Sequence, residues 1–445
     1  MSAQIIPTRT QAETGLADVF GATKATLPGN AQVIQLREEA FGAFAEAGLP
    51  HRRVEAWHYT DLRTVMREAL PIAPAPSADA IAALKKELSA APAPAGVRLV
   101  LVDGVFVAEL SDLASLPAGV TVRSLASVLA EGPAELIESL NAKGLGKQDA
   151  IVSLNAALMQ DGVIVEVAPG TAVTDPINVV YATATTAPMA RFSRSLVVVG
   201  KGASVRVTEA SHGEGGRTGQ TYGCLIFAVG DEASLDHTTM ITQTAAASQR
   251  LESFMATIGE KAKLNSFALV SGNGLLRRQI FVRFEGADAE GNFSGISLLR
   301  GREHADTTLL VEHTAPGCTS REAFRYILDE EATGVFQGKI TVAPIAQKTD
   351  GKMLSKALLL SENASMNNKP ELEIFADDVA CGHGATCGGL NEDQLFYLQA
   401  RGLPSLEAKA LLLEAFAAEL VDEINDEALS ETYRAEVRKW LGAKA

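Results

Sequence analysis

Apolar and polar positions along this chain follow three successive regimes. Residues 31–48 place Val33, Leu36, Ala40 and Phe44 at spacings of three and four, which predicts an amphipathic helix ended by Gly48 and Pro50. Residues 71–96 are rich in Pro and Ala around one short helical segment, the composition of a connector. Two apolar runs flank Asp103–Gly104 within 97–110 and predict a hairpin. Residues 122–160 read as helical, interrupted at Gly144 and Gly146. From about residue 162 the period changes to two, and from Asn391 it returns to that of a helix.

The period-two region repeats itself. Aligned on a small residue, its segments put Ala172, Ala203, Ala233, Ala262 and Ala287 in register, at spacings of 31, 30, 29 and 25. An apolar alternating run precedes each alanine and a second short one follows it. Gly200, Gly230 and Gly259 stand three positions earlier and predict tight bends. Such a unit cannot bury its own apolar face, whereas stacked units form a continuous core. A Greek-key sandwich also suits regular short strands, but the return of one corner over five units favours a solenoid. The region from 307 to 378 continues it.

The C-terminal stretch predicts helices. Asn391 is a candidate cap with Gln394 three residues on, and Gly402 and Pro404 end that helix. Leu406, Ala410, Leu413, Ala417, Leu420 and Ile424 then form one apolar face. Leu411, Leu412 and Phe416 add a second flank, available to the intramolecular core or to a partner. Trp440 is a candidate terminal anchor. The expected organisation is 1–150 mostly helical, 151–390 β-helix core, and 391–445 helical.

With 445 residues, 47% hydrophobic and 21% charged, the composition is that of a globular protein of two or three domains. A formal net charge of −15 without a long basic run argues against nucleic acid and anionic membranes as partners. Four cysteines make no disulfide framework. The first residues lack a signal-peptide pattern, and no apolar run reaches 18 residues, so a cytoplasmic location is expected. Arg277, Arg278, Arg283, Arg300 and Arg302 are locally dense and read as a solvated sheet face rather than an anion site. Cys224, in an apolar run, reads as a small buried hydrophobe. Trp57 reads as a packed anchor.

Chemistry concentrates at the switch from strands to helices. Cys381, His383 and Cys387 lie within seven residues, just after Asp377 and Asp378. In an extended ACGHGA segment Cys381 and His383 share a face, and thiolate and imidazole both suit iron. Three ligands in seven residues are fewer than a closed structural zinc site needs. The residues alone equally allow a buried Cys381 and a structural His383.

Three stretches carry a resemblance. NNKPELEIFADDVACGHGATCGGLNEDQLFYLQARGL (367–403), LPHRRVEAWHYTDL (49–62) and AQKTDGKMLSKALLL (346–360) resemble the SufB/SufD family of SUF iron–sulfur cluster assembly scaffolds. Gln347, Lys348, Thr349 and Asp350 stand where the SufB branch carries a cysteine, so the third stretch is similar to the SufD branch. The resemblance implies a right-handed parallel β-helix between helical ends. It implies a non-catalytic subunit that pairs with a SufB-like chain through the β-helix and binds a SufC-like ATPase through its C-terminal helices. It implies a transient Fe–S cluster shared with the SufB-like chain, no tightly bound cofactor, and His383 as a ligand with Cys381 beside it. The rival expectations are a β-helix enzyme acting on acidic polysaccharide and a structural ATPase partner without metal chemistry.

Overall fold

A computed structural model describes residues 9–90, 95–213, 218–242, 245–272 and 274–442. The first eight residues, on which part of the signal-peptide expectation rests, and 91–94 of the connector lie outside the described residues.

The N-terminal third holds α1 (Gln11–Thr23), α2 (Ala31–Ala47), α3 (Leu62–Val65) and α4 (Ala78–Ala90), then β1 (Val97–Val102), β2 (Val105–Phe106) and β3 (Val120–Ser124), then α5 (Leu125–Glu131), α6 (Ala134–Ser139) and α7 (Ala150–Leu158). The predicted helix α2 is present, capped by Asn30. The predicted hairpin is present as β1 and β2, paired antiparallel about Asp103–Gly104. The reading of 122–160 as helical is wrong at its start. Residues up to Ser124 belong to β3, which pairs antiparallel with the first solenoid strand.

The centre is a parallel solenoid of β4 (Val163–Val167), β5 (Ile177–Ala182), β6 (Met189–Val199), β7 (Ser204–His212), β8 (Gly219–Val229), β9 (Ser234–Thr242), β10 (Gln249–Ile258), β11 (Lys263–Ser271), β12 (Leu275–Phe284), β13 (Glu290–Leu299), β14 (His304–His313), β15 (Thr319–Leu328), β16 (Thr333–Val342), β17 (Asp350–Leu359), β18 (Ser365–Ile374) and β19 (Gly382–Gly388). Among the described residues these strands, two per coil, make about eight turns. Odd-numbered strands join a ten-stranded sheet, even-numbered ones a nine-stranded sheet. The sandwich alternative is thereby excluded, because consecutive strands lie in different sheets and neighbours within a sheet are parallel.

The lumen between the sheets holds the main core: Phe227, Phe254, Phe284, Phe293, Phe324, Tyr326 and Phe336, with many Val, Ile and Ala. Alternation along each strand supplies this filling, because every second side chain points inward. The predicted corner is real, but its register differs at both ends. Ser204, Ser234, Lys263 and Glu290 stack in register, so the fourth alanine of the column after Ala203, Ala233 and Ala262 is Ala289, not Ala287. Ala172 pairs with Ser204 and so lies one position past the column. The glycines open the expected tight bends, where the Ala203, Ala233 and Ala262 N–H groups donate to the Gly200, Gly230 and Gly259 carbonyls, and they also serve a second purpose. A Cβ at Gly230 would lie 2.8 Å from the Val199 carbonyl oxygen, and at Gly259 it would lie 2.7 Å from the Asp231 nitrogen. They let successive coils approach backbone to backbone, while the left-handed turn residues are Glu232 and Lys261.

After the solenoid come α8 (Glu392–Ala400), α9 (Ser405–Val421) and α10 (Glu427–Gly442). Leu413, Ala417, Leu420, Val421, Tyr433 and Val437 pack on Phe267, Leu269, Ile296 and Ile327, the outer face of the ten-stranded sheet. Leu406, expected on that packing face, is exposed, whereas Ala408 in the same turn is buried. Arginines of the sheet fasten the helices: Arg206 to Asp426, Arg325 to Glu419 and the Phe416 carbonyl, and Arg300 to the Trp440 carbonyl. Arg300 also lies 4.2 Å over the Trp440 ring, which bears out the terminal anchor.

Candidate functional site

The two ends of the solenoid differ. At the start, the sheets end in the short antiparallel strands β2 and β3, and Leu113 and Leu116 pack against the lumen core. At the finish, the sheets end in β18 and β19, which are parallel to their neighbours and bury no side chain among the described residues. The end is therefore open, and the stretch that gathers the chemistry forms its rim.

The last corner joins the 346–360 and 367–403 stretches. The Asp378 N–H donates to Gln347 Oε1 at 2.9 Å, the Lys348 N–H donates to the Asp378 carbonyl at 2.6 Å, and Lys348 Nζ pairs with the Asp378 carboxylate. The Ala380 N–H donates to the Thr349 carbonyl at 2.8 Å and delivers the chain into β19. β19 then runs parallel to β17, with Gly382 opposite Lys352 and His383 opposite Met353.

Met353 belongs to the lumen core, so His383 has inward parity, and Cys387, opposite Ala357, shares it. Cys381 is half-buried and packs against that core. Its Sγ lies 3.6 Å from where a Cβ would stand on Gly351. Burial raises the Cys381 thiol, and the Asp350 and Glu322 carboxyls add to this against a backbone hydrogen bond from Gly351. His383 and Cys387 are exposed because no further coil covers them. Cys381 and Cys387 are six residues apart on one strand, roughly 20 Å, and do not share an ion within this chain. Among the described residues no three His, Cys, Asp or Glu side chains gather as a metal site. Cys381 and His383 offer one soft and one borderline donor at an open rim.

Large apolar side chains surround the open end: Ile345 and Phe375 are 69% and 62% exposed, with Ile374 and Leu354 also exposed. A second exposed apolar set lies on the C-terminal helices. Among the described residues α8 buries no side chain, and Phe396, Tyr397, Leu406 and Leu411 face outward.

The arginine cluster is not one solvated face: Arg302 is 85% exposed as expected, but its neighbours are not all so. Arg277 and Arg278 are buried. Arg277 pairs with Asp306 and lies 3.8 Å over the Trp57 ring. Arg278 faces the lumen near Glu252. Arg283 pairs with Glu312, Arg302 with Glu331, and Arg300 holds the C-terminal helix. Trp57 is buried, as expected of an anchor, and donates from Nε1 to Asp149 at 2.9 Å. Cys224 is buried too. Sequence reasoning missed the lumen acid Glu322 below the rim. Its signal was parity: it shares the phase of Phe324, Tyr326 and Leu328.

Comparison with known proteins agrees with this architecture. Residues 181–416 match the family described as SUF system FeS cluster assembly, SufBD core domain, and residues 10–179 match the SufBD protein N-terminal region. An iron–sulfur cluster assembly SufBD family protein of Synechocystis sp. is 30% identical over 88% of this chain and 87% of its own. The iron–sulfur cluster assembly protein SufD of Escherichia coli is 29% identical over 88% of this chain and 90% of its own. Protein ABCI7, chloroplastic, of Arabidopsis thaliana is 27% identical over 66% and 63%. Among the described residues no helix is long and apolar enough to cross a membrane. With both family regions matched and a solenoid between helical ends, the chain belongs to the SufBD family of SUF iron–sulfur cluster assembly proteins.

Proposed function

We propose that this chain is the SufD-type, non-catalytic subunit of a cytoplasmic SUF scaffold, and that its open solenoid end pairs with a SufB-like chain. Cys381 and His383 would contribute this chain's share of a nascent Fe–S cluster site at that junction, with no tightly bound cofactor. The carrying observation is the finish of the solenoid, whose last two strands bury no side chain among the described residues and present exposed apolar side chains with His383 on the edge strand. Unpaired strand edges and exposed apolar surface are what a second chain covers. Thr349 and Asp350, rather than a cysteine, stand at the last corner, which supports the SufD-type assignment.

His383 is exposed on the edge strand, so its loss spares the fold. In the complex copurified with SufB-like and SufC-like partners, His383→Ala is expected to lower the yield of assembled cluster at least fivefold. Complex formation and the urea midpoint should stay at wild-type values. Wild-type cluster yield in that purified variant would remove His383 from the site.

The apolar set on α8 and α9 fits the SufC-like ATPase, the second partner. Phe396 and Tyr397 are 71% and 58% exposed and support no intramolecular core. Large exposed aromatics make strong interface anchors. Replacing both with serine is expected to reduce ATPase retention in a pull-down at least tenfold. Thermal stability of the isolated chain should not change. Undiminished retention would place the ATPase elsewhere.

A further inference from the structure

Glu322 breaks the apolar pattern of the lumen directly below the rim. It pairs with Phe293 on one side and Met353 on the other, and Met353 pairs with His383. Phe293 and Met353 are core residues, so the column runs Phe293, Glu322, Met353, His383. Glu322 is 1% exposed, and among the described residues neither carboxyl oxygen has a partner in hydrogen-bonding geometry.

The surrounding groups do not supply a counter-ion. Arg321 pairs with Asp350 on the outer face of the sheet. Ser320 Oγ is 3.0 Å from His313 Nε2, and the His313 ring stacks on Phe284. Burial holds His313 neutral, pushing it down to about 4. Other titratable groups share this face: Tyr326 on the same strand, His237 three coils back in the same column and paired with Glu209, and Cys381 two coils on, its thiol raised by burial. Burial likewise pushes the Glu322 carboxyl up to about 8, against weaker pulls from Ser320 and Arg321. An acid sealed this way stays neutral near pH 7 until a positive charge arrives nearby.

We infer that Glu322 is the internal counter-charge for a metal cation held at Cys381 and His383. This rests on the reading of those two residues as ligands. When the cation binds, the Cys381 S–H and Glu322 O–H bonds break, each electron pair remains on its own sulfur or oxygen, and both protons leave to water at the open end. Two strand spacings separate Glu322 from His383, roughly 10 Å. At an effective dielectric constant of about 20, one unit of charge at that distance changes affinity roughly tenfold.

The test uses the full chain copurified with its SufB-like and SufC-like partners, with Co2+ as the probe. Affinity is read from visible absorption, and proton release from a pH dye in weak buffer. Glu322→Gln is expected to weaken Co2+ binding about twofold at pH 7 and roughly tenfold at pH 9, where no proton has to be given up first, and to release fewer protons per metal at pH 7. Wild type at pH 9, where Glu322 is already ionised, should also release fewer protons, and this reading does not depend on how the variant folds. Wild-type affinity and proton count in Glu322→Gln, or no fall in proton release at pH 9, would overturn the counter-charge while Co2+ binding still needs His383. Co2+ binding undiminished in His383→Ala would instead overturn the ligand reading, and the role of Glu322 with it.

Discussion

Asp306→Ala is expected to lower the unfolding free energy by about 3–5 kcal/mol, the usual cost of breaking a buried ion pair from one side. Asp306 and Arg277 have fully buried side chains on the outer face of the nine-stranded sheet. The segment 49–66 seals them there. Thr60 donates to Asp306, Arg277 donates to the Ala56 carbonyl, and the Trp57 ring covers the guanidinium. Gln337, two coils on from Arg277, also donates to the Ala56 carbonyl, at 2.9 Å. Glu55 reaches Lys369 on β18, the last strand of that sheet. The segment is thus a strap across β12, β14, β16 and β18. Removing the carboxylate leaves a guanidinium buried without its counter-ion under the middle of the strap.

The companion variant separates charge from packing. Arg277→Met with Asp306→Leu removes both charges and keeps apolar volume, so it should recover most of the loss. Urea unfolding gives both values. A loss below about 1 kcal/mol for Asp306→Ala, or a double variant no better than the single one, would show that the strap is held by Trp57 packing instead.

How much of this was legible in the sequence differs from feature to feature. The solenoid was, because alternation and a recurrent small residue are local signals that repeat. The register slipped at Ala287 because the unit after Ala262 is shorter than its predecessors, and counting small residues does not reveal which one turns the corner. β3 was missed because it is short and leads directly into α5; its strand state depends on pairing with β4. The arginines were misread because density in sequence says nothing of which face each one takes. Arg277 and Arg278 are adjacent, yet one lies under the strap and the other in the lumen. At the rim, period two correctly gave Cys381 and His383 a common parity. What differs is their cover: Cys381 lies against the preceding coils, whereas His383 lies where coils end. Glu322 was missed for a related reason. A glutamate in an alternating strand reads as a solvated position unless its phase with Phe324, Tyr326 and Leu328 is followed, and the column of neighbouring coils then shows it facing inward.

The same glutamate sets the second large effect. Relative to wild type, Glu322→Gln should gain stability steadily as pH rises from about 4.5 through about 8. In the unfolded chain the carboxyl titrates near its ordinary 4.5, whereas in the folded chain burial holds it at about 8. Between those values the folded state binds more protons, so wild-type stability falls with rising pH and the loss is complete above about 8. Each tenfold difference in proton affinity between the two states is worth about 1.4 kcal/mol, so the whole swing is on the order of 5 kcal/mol. His313 acts with the opposite sign. Its folded value of about 4 lies below its ordinary 6.5, so its contribution is lost as pH falls from 6.5 toward 4. Burial also raises Glu303, to about 7, which adds to the wild-type slope below neutrality. Subtracting the urea stability curves of variant and wild type at each pH cancels both. The remaining difference should be nearly flat below pH 4.5, rise through neutrality and level off above pH 8. A flat difference across the whole range would mean that Glu322 is solvated in the folded chain, and the lumen at the open end would then be wet.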